Sequence, residues 1–544
     1  MKINQLQVTI GLFVLVFLLI YAPTYSTPYI MDDSHTIQSN QFVQSLKHFG
    51  FSWVSAKAYS SSPENYGYRP VTINFSQLCW FLGDGRVAAF QIAKKLLLVV
   101  FAFLCFLLWN EWQTVMQTNR KSDFWWGSGG MAFGFFLLHP VATQVGNYIA
   151  ASSTLLCSLF YVLAFLFYLK FRRLNQMLFL VLAGISYFLA VMSKEEGITL
   201  IAILFLTEIF FLRRNAQVKA SQKMAWLSML AMGLIAVLSV YMVVLHFEPT
   251  SNIARGSVSR ALYFATQWRA YIYYLSTYLW PVQFNFDNFS FQFATEVWTG
   301  TNILFLTINS FIVGVGVYLC YRRQEIGLAI LGFYIAIAPA SSIIPLAESV
   351  NDHRHFIPFI FFGFGMIQMV DFVFTKWIKR PKVQAYFVAG LLVFYSTATL
   401  VRNFDFSTGR SLWTDTVLKN PESPRAKNNL ALDYMAVADY DFAQRLLSRC
   451  VADAIYYYPC FINYAVTSAA TGDNLTAEEY FKKAIPMDSN LVSSRLFFAD
   501  FLEKQGRYGE AEKYLAEANL FTNGLNKPVM DRLNTVRAKQ AAAQ

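Results

Sequence analysis

Charge is what this chain has least of. Only 14% of its 544 residues are Asp, Glu, Lys or Arg, where an ordinary globular chain carries about a quarter, so a soluble protein of this length is excluded. Its 44 Lys and Arg against 33 Asp and Glu give a net charge of +11. The basic residues come in short groups between apolar runs and form no gathered patch, so they set topology and imply no nucleic-acid partner. The 6 cysteines are too few for a disulfide scaffold, and no spacing among them resembles a metal site. Cys105, Cys157 and Cys320 fall inside apolar runs as small packing residues. Cys450 and Cys460 stand in the polar C-terminal stretch, where pairing is open.

What the chain does have is apolar length. The apolar share is 56%, the aromatic share 17% and the mean hydropathy +0.37, the profile of an all-α, polytopic membrane protein with aromatic rings at its interfaces. Runs long enough to span a bilayer lie near 6–22, 87–109, 125–141, 148–169, 176–193, 198–212, 225–246, 300–320, 326–346, 356–375 and 384–401, about eleven helices. Arg120-Lys121, Lys170 to Arg173, Arg213 to Lys223, Arg322-Arg323 and Lys376 to Lys382 fall on alternate connections, which the positive-inside rule places in the cytoplasm. The 23–86 loop, the Lys194-Glu195-Glu196 corner, the 247–299 loop, the 347–355 corner and the tail after Arg402 then face outward. A signal-peptide reading of the first run meets a poor cleavage flank in Pro23-Thr24-Tyr25-Ser26. Val258 to Trp280 carries Arg260 and Arg269 and reads as an interfacial or re-entrant helix.

After Arg402 the pattern becomes Ala-rich, charged and periodic. Ala431, Ala465 and Ala499 recur at a step of 34, as do Ala443, Ala477 and Ala511, and Cys450, Ala484 and Ala518, with Phe481 and Leu515 at a large-residue position. That is the tetratricopeptide period, about three repeats of paired helices stacking into an α-solenoid with a concave groove. The expected domains are 1–405 and 406–544. The groove suits an extended protein segment, with bracing or dimerisation as the alternative.

The polar clusters all fall on the outward side: Asp32-Asp33, Tyr68-Arg69-Pro70, His139-Pro140, Lys194-Glu195-Glu196-Gly197 and Asn351-Asp352-His353-Arg354-His355. An ionisable residue at mid-membrane costs about 2.5 to 3.5 kcal/mol on insertion scales, so such groups mark a site or pathway. A carboxylate suits a general base, and Arg, Lys and His suit a phosphate. Lys94 and Lys95 sit two turns into the second run, facing either a polar cavity or a membrane boundary set lower than drawn.

These residues resemble a family in order along the chain. Asp32-Asp33 with Ile37 and Asn40, Tyr68-Arg69-Pro70, His139-Pro140, Leu155-Leu156, Ser193-Lys194-Glu195 with Gly197-Ile198, Pro339-Ala340-Ser341-Ser342 and Asp352-His353-Arg354-His355-Phe356-Ile357-Pro358 are similar to motifs of the transmembrane and tetratricopeptide-repeat (TMTC-type) protein O-mannosyltransferases and their bacterial relatives. Trp413-Thr414-Asp415, Asn420-Pro421 and Arg425-Ala426 with Asn428-Asn429-Leu430 are similar to the family's entry into its repeats. The resemblance implies a C-type glycosyltransferase (GT-C) fold, a polyprenyl-phosphate-linked sugar as donor and 23–86 as catalytic loop. Relatives carry Glu, Arg and Asp where this chain has Gln144, Ser152 and Thr154, so the resemblance does not carry the sugar.

On that footing Asp32 or Asp33 is the expected base for an inverting transfer to a hydroxyl. Arg69, Lys194, His353 and Arg354 hold the donor phosphate, and Tyr68, His139, Glu195, Asp352 and His355 support them. No cofactor is expected beyond the lipid-linked donor, and a divalent metal is left open. The acceptor is an exported protein such as a pilin, bound at the repeat groove. The closing Lys539-Gln540-Ala541-Ala542-Ala543-Gln544 carries no retention signal, and the His-Arg corner has the bacterial form. The expected location is therefore a bacterial inner membrane with a periplasmic active side. The alternatives are a lipid-diphosphate oligosaccharyltransferase or glycan polymerase, and, from another class, a non-enzymatic scaffold or transporter. One-sided polar residues argue against transport, which needs a midplane site served from both faces.

Overall fold

In lipid every backbone N–H and C=O must be satisfied within the segment, which favours helices. The computed structural model of the chain describes residues 5–61, 65, 67–117, 128–242, 258–289, 291–342, 345–346, 348–454, 456–488, 492–521 and 527–543, and among them there is no strand. Two compact units form, Met1–Thr408 and Gly409–Gln544.

The first unit contains α1 (Gln5–Ile20), α2 (Pro70–Gly83), α3 (Val87–Met116), α4 (Ser128–Leu138), α5 (Ala142–Asn147), α6 (Ser152–Leu174) and α7 (Met177–Ser193). It continues through α8 (Leu200–Thr207), α9 (Gln222–Val240), α10 (Arg260–Leu279), α11 (Gly300–Tyr321), α12 (Glu325–Ile337), α13 (Phe356–Phe372) and α14 (Pro381–Asp405). Each expected apolar run contains a helix. Six among the described residues are long and apolar enough to cross a membrane: Val87–Met116, Ile149–Leu174, Gln222–Val240, Gly300–Tyr321, Asp352–Ile378 and Pro381–Asp405. The run at 326–346 is corrected: its helix stops at Ile337, with Ala338 still in helical backbone, just before Pro339, which has no N–H to continue the ladder. The stretch beyond is held from α10, where Tyr263 Oη donates to the Ala340 carbonyl at 2.8 Å. Arg120 and Lys121 lie outside the described residues.

Packing of this unit is aromatic and close. Phe135 stacks on Phe359 at 5.0 Å, and Phe136 meets Phe101 edge-on at 6.1 Å. Buried charge appears as well, where hydropathy gave no warning. Arg172 Nε approaches Glu208 Oε1 at 2.6 Å, Tyr168 Oη donates to the same carboxylate at 2.8 Å, and Arg172 Nη1 donates to the Ala220 carbonyl at 2.6 Å. Arg172 is therefore a buried clamp between helices, where the sequence suggested only a topology-setting charge. Removing one partner of such a pair strands the other, at about 3 to 5 kcal/mol.

The second unit is a run of helical hairpins. Gly409–Lys419 is followed by Pro424–Met435 packed on Tyr440–Asp453, Tyr458–Ala470 on Asn474–Ala484, and Ser493–Lys504 on Tyr508–Phe521, with Lys527–Ala543 last. The nine small residues of the 34-step registers are at most 1% exposed, which lets paired helices approach closely. Asp439 and Asp473 cap the second helices by accepting from Phe442 N at 3.2 Å and Thr476 N at 3.0 Å. Cys450 and Cys460 are joined by a disulfide across the turn between two hairpins. Replacing both with Ser is expected to lower the stability of this unit by about 2 to 4 kcal/mol, read as a drop in urea midpoint for the unfolding of the helical tail.

Candidate active site

The acid loop follows α1. Met31 adopts a left-handed backbone, φ 48°, which folds Ile30 N back onto Asp33 Oδ2 at 3.0 Å. The other oxygen, Oδ1, accepts from Ala150 N at 2.7 Å, a residue 117 positions away. Asp33 is fully buried. Burial pushes its carboxyl above the ordinary carboxylate range, against the two backbone donors and the charge of Lys94, which favour ionisation.

Beneath it, α3 presents Gln91, Lys94 and Lys95 on one face, as i, i+3 and i+4 spacing requires. Lys94 Nζ donates to the Tyr148 carbonyl. Lys95 Nζ donates to Gln91 Oε1 at 2.6 Å and to the Gly146 carbonyl at 3.3 Å, while Gln91 Nε2 donates to the Asn147 carbonyl at 2.9 Å. Both lysines are buried at the centre of this polar knot.

Asp32 is placed differently from its neighbour. Its side chain is 55% exposed, with Oδ1 3.4 Å from His35 Nε2, and it hydrogen-bonds Tyr148. His35 Nδ1 lies 3.0 Å from Ser60 Oγ. The rest of the loop is fastened by Asn40, whose amide donates to the Thr36 carbonyl at 3.1 Å and the Ala58 carbonyl at 2.9 Å.

Three separate segments bring the expected cations together. Arg69, which precedes α2, reaches Glu195 at 3.0 and 3.2 Å and Tyr59 Oη at 3.2 Å. Lys194, which ends α7, pairs with Glu196 at 2.7 Å and donates to Thr154 Oγ1 at 3.1 Å. Gly197 closes that corner, since a Cβ there would stand 2.8 Å from the backbone of Ala190 and Val191. Arg354, in the single turn Asp352–His355, donates to the Glu348 carbonyl at 2.8 Å. His353 lies within the electrostatic reach of Lys194, Arg354, Arg69 and His355. Buried atoms here without a hydrogen-bond partner among the described residues include His353 Nδ1, Glu196 Oε2 and Gln144 Oε1, although Gln144 Nε2 donates to Asn351 Oδ1 at 3.3 Å.

The other expected residues serve as framework. Tyr68 Oη donates to the Trp53 carbonyl at 2.9 Å. His139 accepts from Val141 N at Nδ1, 3.2 Å, which leaves the hydrogen on Nε2 for the Tyr278 carbonyl at 3.0 Å. Asp352 accepts from Asn285 N at 2.9 Å and Asn288 Nδ2 at 3.1 Å. His355 stacks on Tyr274 at 4.6 Å. Sequence reasoning missed His35, visible three residues after Asp32, and Tyr148 and Glu348, which no motif marks. Among the described residues no three His, Cys, Asp or Glu side chains converge as a metal site. Between α10, α11, α12 and α13 runs an apolar groove of about 320 Å³, bordered by Leu279, Ile312, Ile330, Phe333, Phe362 and Met366.

No protein-family model matches the chain. It is similar to the protein O-mannosyl-transferase TMTC4 of Homo sapiens, 28% identical over 200 residues, and to that of Mus musculus, 29% identical over 212 residues. The chain is TMTC-like. The aligned stretches cover 34% and 35% of this chain and 27% of each relative, so the chain spans about a quarter of the length of the curated proteins it matches. With its apolar helices, the TMTC likeness makes it a multi-pass membrane protein.

The two acids are expected to separate on substitution. Asp33→Asn sets an amide against a backbone N–H and strips Lys94 of its nearby negative charge, costing about 1 to 3 kcal/mol. Asp32→Asn stays within about 0.5 kcal/mol. Thermal melting in detergent reads the difference.

Proposed function

We propose that the chain is a C-type, inverting glycosyltransferase that moves a sugar from a polyprenyl phosphate to hydroxyls of exported proteins. The observation that carries this reading is the gathering of cations from three segments, Arg69, Lys194 and Arg354, around His353, in a unit that also holds a solvent-reaching carboxylate, Asp32. The TMTC4 proteins are named as O-mannosyl-transferases, which supports the reaction class. The divergence at Gln144, Ser152 and Thr154 leaves the sugar outside the proposal.

In this mechanism the acceptor oxygen attacks the anomeric carbon on the face opposite the phosphate. The bond from carbon to phosphate oxygen breaks, its electron pair leaves with the polyprenyl phosphate, and the acceptor proton passes to Asp32. Asp33 does not react: both of its oxygens are already committed to backbone N–H groups. A carboxylate is a weak base for an alcohol, so transfer occurs late, as the new bond acidifies the hydroxyl. Charge develops on the leaving phosphate, where fixed guanidinium and ammonium groups stabilise it. Glu195, Glu196 and Glu348 pre-aim those cations.

The prenyl chain lies in the apolar groove beside α13. The hairpin unit, as a tetratricopeptide solenoid, captures the acceptor. In this reading the chain crosses the membrane eleven times, and the acid loop and the tail face the periplasm of a bacterial inner membrane. The Cys450–Cys460 disulfide supports that side, because such bonds persist in oxidising compartments.

Transfer from a membrane-extracted lipid-linked sugar tests the assignment. Asp32→Asn is expected to lower turnover about 10² to 10⁴-fold while the protein melts normally; near-normal turnover would remove Asp32 as base. Deleting residues 409–544 is expected to abolish protein modification and leave donor binding, and unchanged modification would exclude acceptor capture by the tail.

A further inference from the structure

At the end of the first unit far from the acid loop, α3, the 208–216 segment and α11 finish around a second cavity. α3 carries the acid loop near its start and runs 30 residues, about 45 Å at 1.5 Å per residue, before it ends here at Met116. The cavity measures about 260 Å³, with Met116, Phe210 and Phe211 as apolar surface and Gln117, Arg214, Asn215 and Arg323 as polar surface. Its shape is built. Asn215 Nδ2 donates to the Val115 carbonyl at 2.9 Å, and its Oδ1 accepts from Gln217 N at 2.8 Å. That pins the loop carrying Arg214 to the end of α3. Gln117 and Arg323 both turn out of their helices with left-handed backbone, φ 54° and 56°.

Among the described residues the charge here is uncompensated: Arg214 and Arg323 are exposed, and neither has an ion-pair partner there. The described acids nearest in sequence are committed elsewhere. Glu208 serves Arg172 and Tyr168, Glu325 accepts from Trp112 Nε1 at 2.8 Å, and Glu111 pairs with Arg173 at 2.6 Å. Two free guanidinium groups therefore flank an apolar surface where three apolar segments end, the level at which a bilayer's headgroups begin.

We propose that this cavity binds the headgroup of an anionic phospholipid, its phosphodiester between Arg214 and Arg323 and its first methylenes on Met116, Phe210 and Phe211. A free inorganic anion would use the arginines and leave the apolar surface idle. The site stands apart from the transferase reading, since it shares no residue with it. A basic residue facing anionic lipid contributes about fivefold in binding, so losing both arginines reduces retention by roughly 25-fold.

The test uses the full chain in mixed micelles containing phosphatidylglycerol or phosphatidylcholine, with bound lipid counted by native mass spectrometry. The wild type is expected to retain phosphatidylglycerol and not phosphatidylcholine. Arg214→Gln with Arg323→Gln is expected to lose that retention, while Lys379→Gln with Arg380→Gln, the same charge removed from another exposed connection, keeps it. Equal loss in both double variants would reduce the arginines to general topology charge and overturn the proposal. So would competition by inorganic phosphate at millimolar concentration equal to that by phosphatidylglycerol. Should the double variant fail to fold, Arg323→Gln alone carries the same comparison at about fivefold.

Discussion

The polar face of α3 is the constraint on which the outer half of the membrane unit depends. Gln91, Lys94 and Lys95 are buried where apolar side chains would ordinarily stand, and the cost of desolvating two ammonium groups is met by backbone carbonyls of residues 146–148 and by the carboxylate above. In return the knot ties the acid loop to the end of α5 and the turn that follows it. Asp33 closes it from the loop side through Ala150 N. Met31, left-handed two residues before Asp33, turns the chain so that Ile30 N meets the Asp33 carboxylate. Asp32 emerges beside this anchorage with its carboxylate exposed, as the proposed base would need.

The cation side follows a different principle. Arg69, Lys194 and Arg354 come from segments far apart in sequence, and each is aimed by a glutamate before any ligand arrives. Such pairing lowers the entropy of long side chains but also neutralises much of their charge, so the proposed donor phosphate has to share N–H donors with the glutamates. Nδ1 of His353, Oε1 of Gln144 and Oε2 of Glu196 are among the buried polar atoms left without a hydrogen-bond partner within the described residues.

Scarcity of charge made much of this legible in the sequence. In a chain so oily, an acid pair after the first apolar run and an Asp-His-Arg-His corner stand out singly, and the alanines at a step of 34 announced the hairpins before any coordinates. What could not be read was which acid is buried, because the deciding donor, Ala150, is an ordinary residue 117 positions away. Glu208 was hidden inside an apolar run, and its partner Arg172 was masked by a basic group that looked topological. The early end of α12 was written in Pro339, where hydropathy alone overruled the proline.

The central claim is that Asp32 meets the substrate while Asp33 holds the loop. A cryo-EM structure of the chain with a non-hydrolysable polyprenyl phosphonate sugar addresses it most directly. The account requires the anomeric carbon to face Asp32, the phosphonate to lie among Arg69, Lys194 and Arg354, and Asp33 to keep its bonds to Ile30 N and Ala150 N. A sugar seated against Asp33, with the Ala150 bond broken, would contradict it.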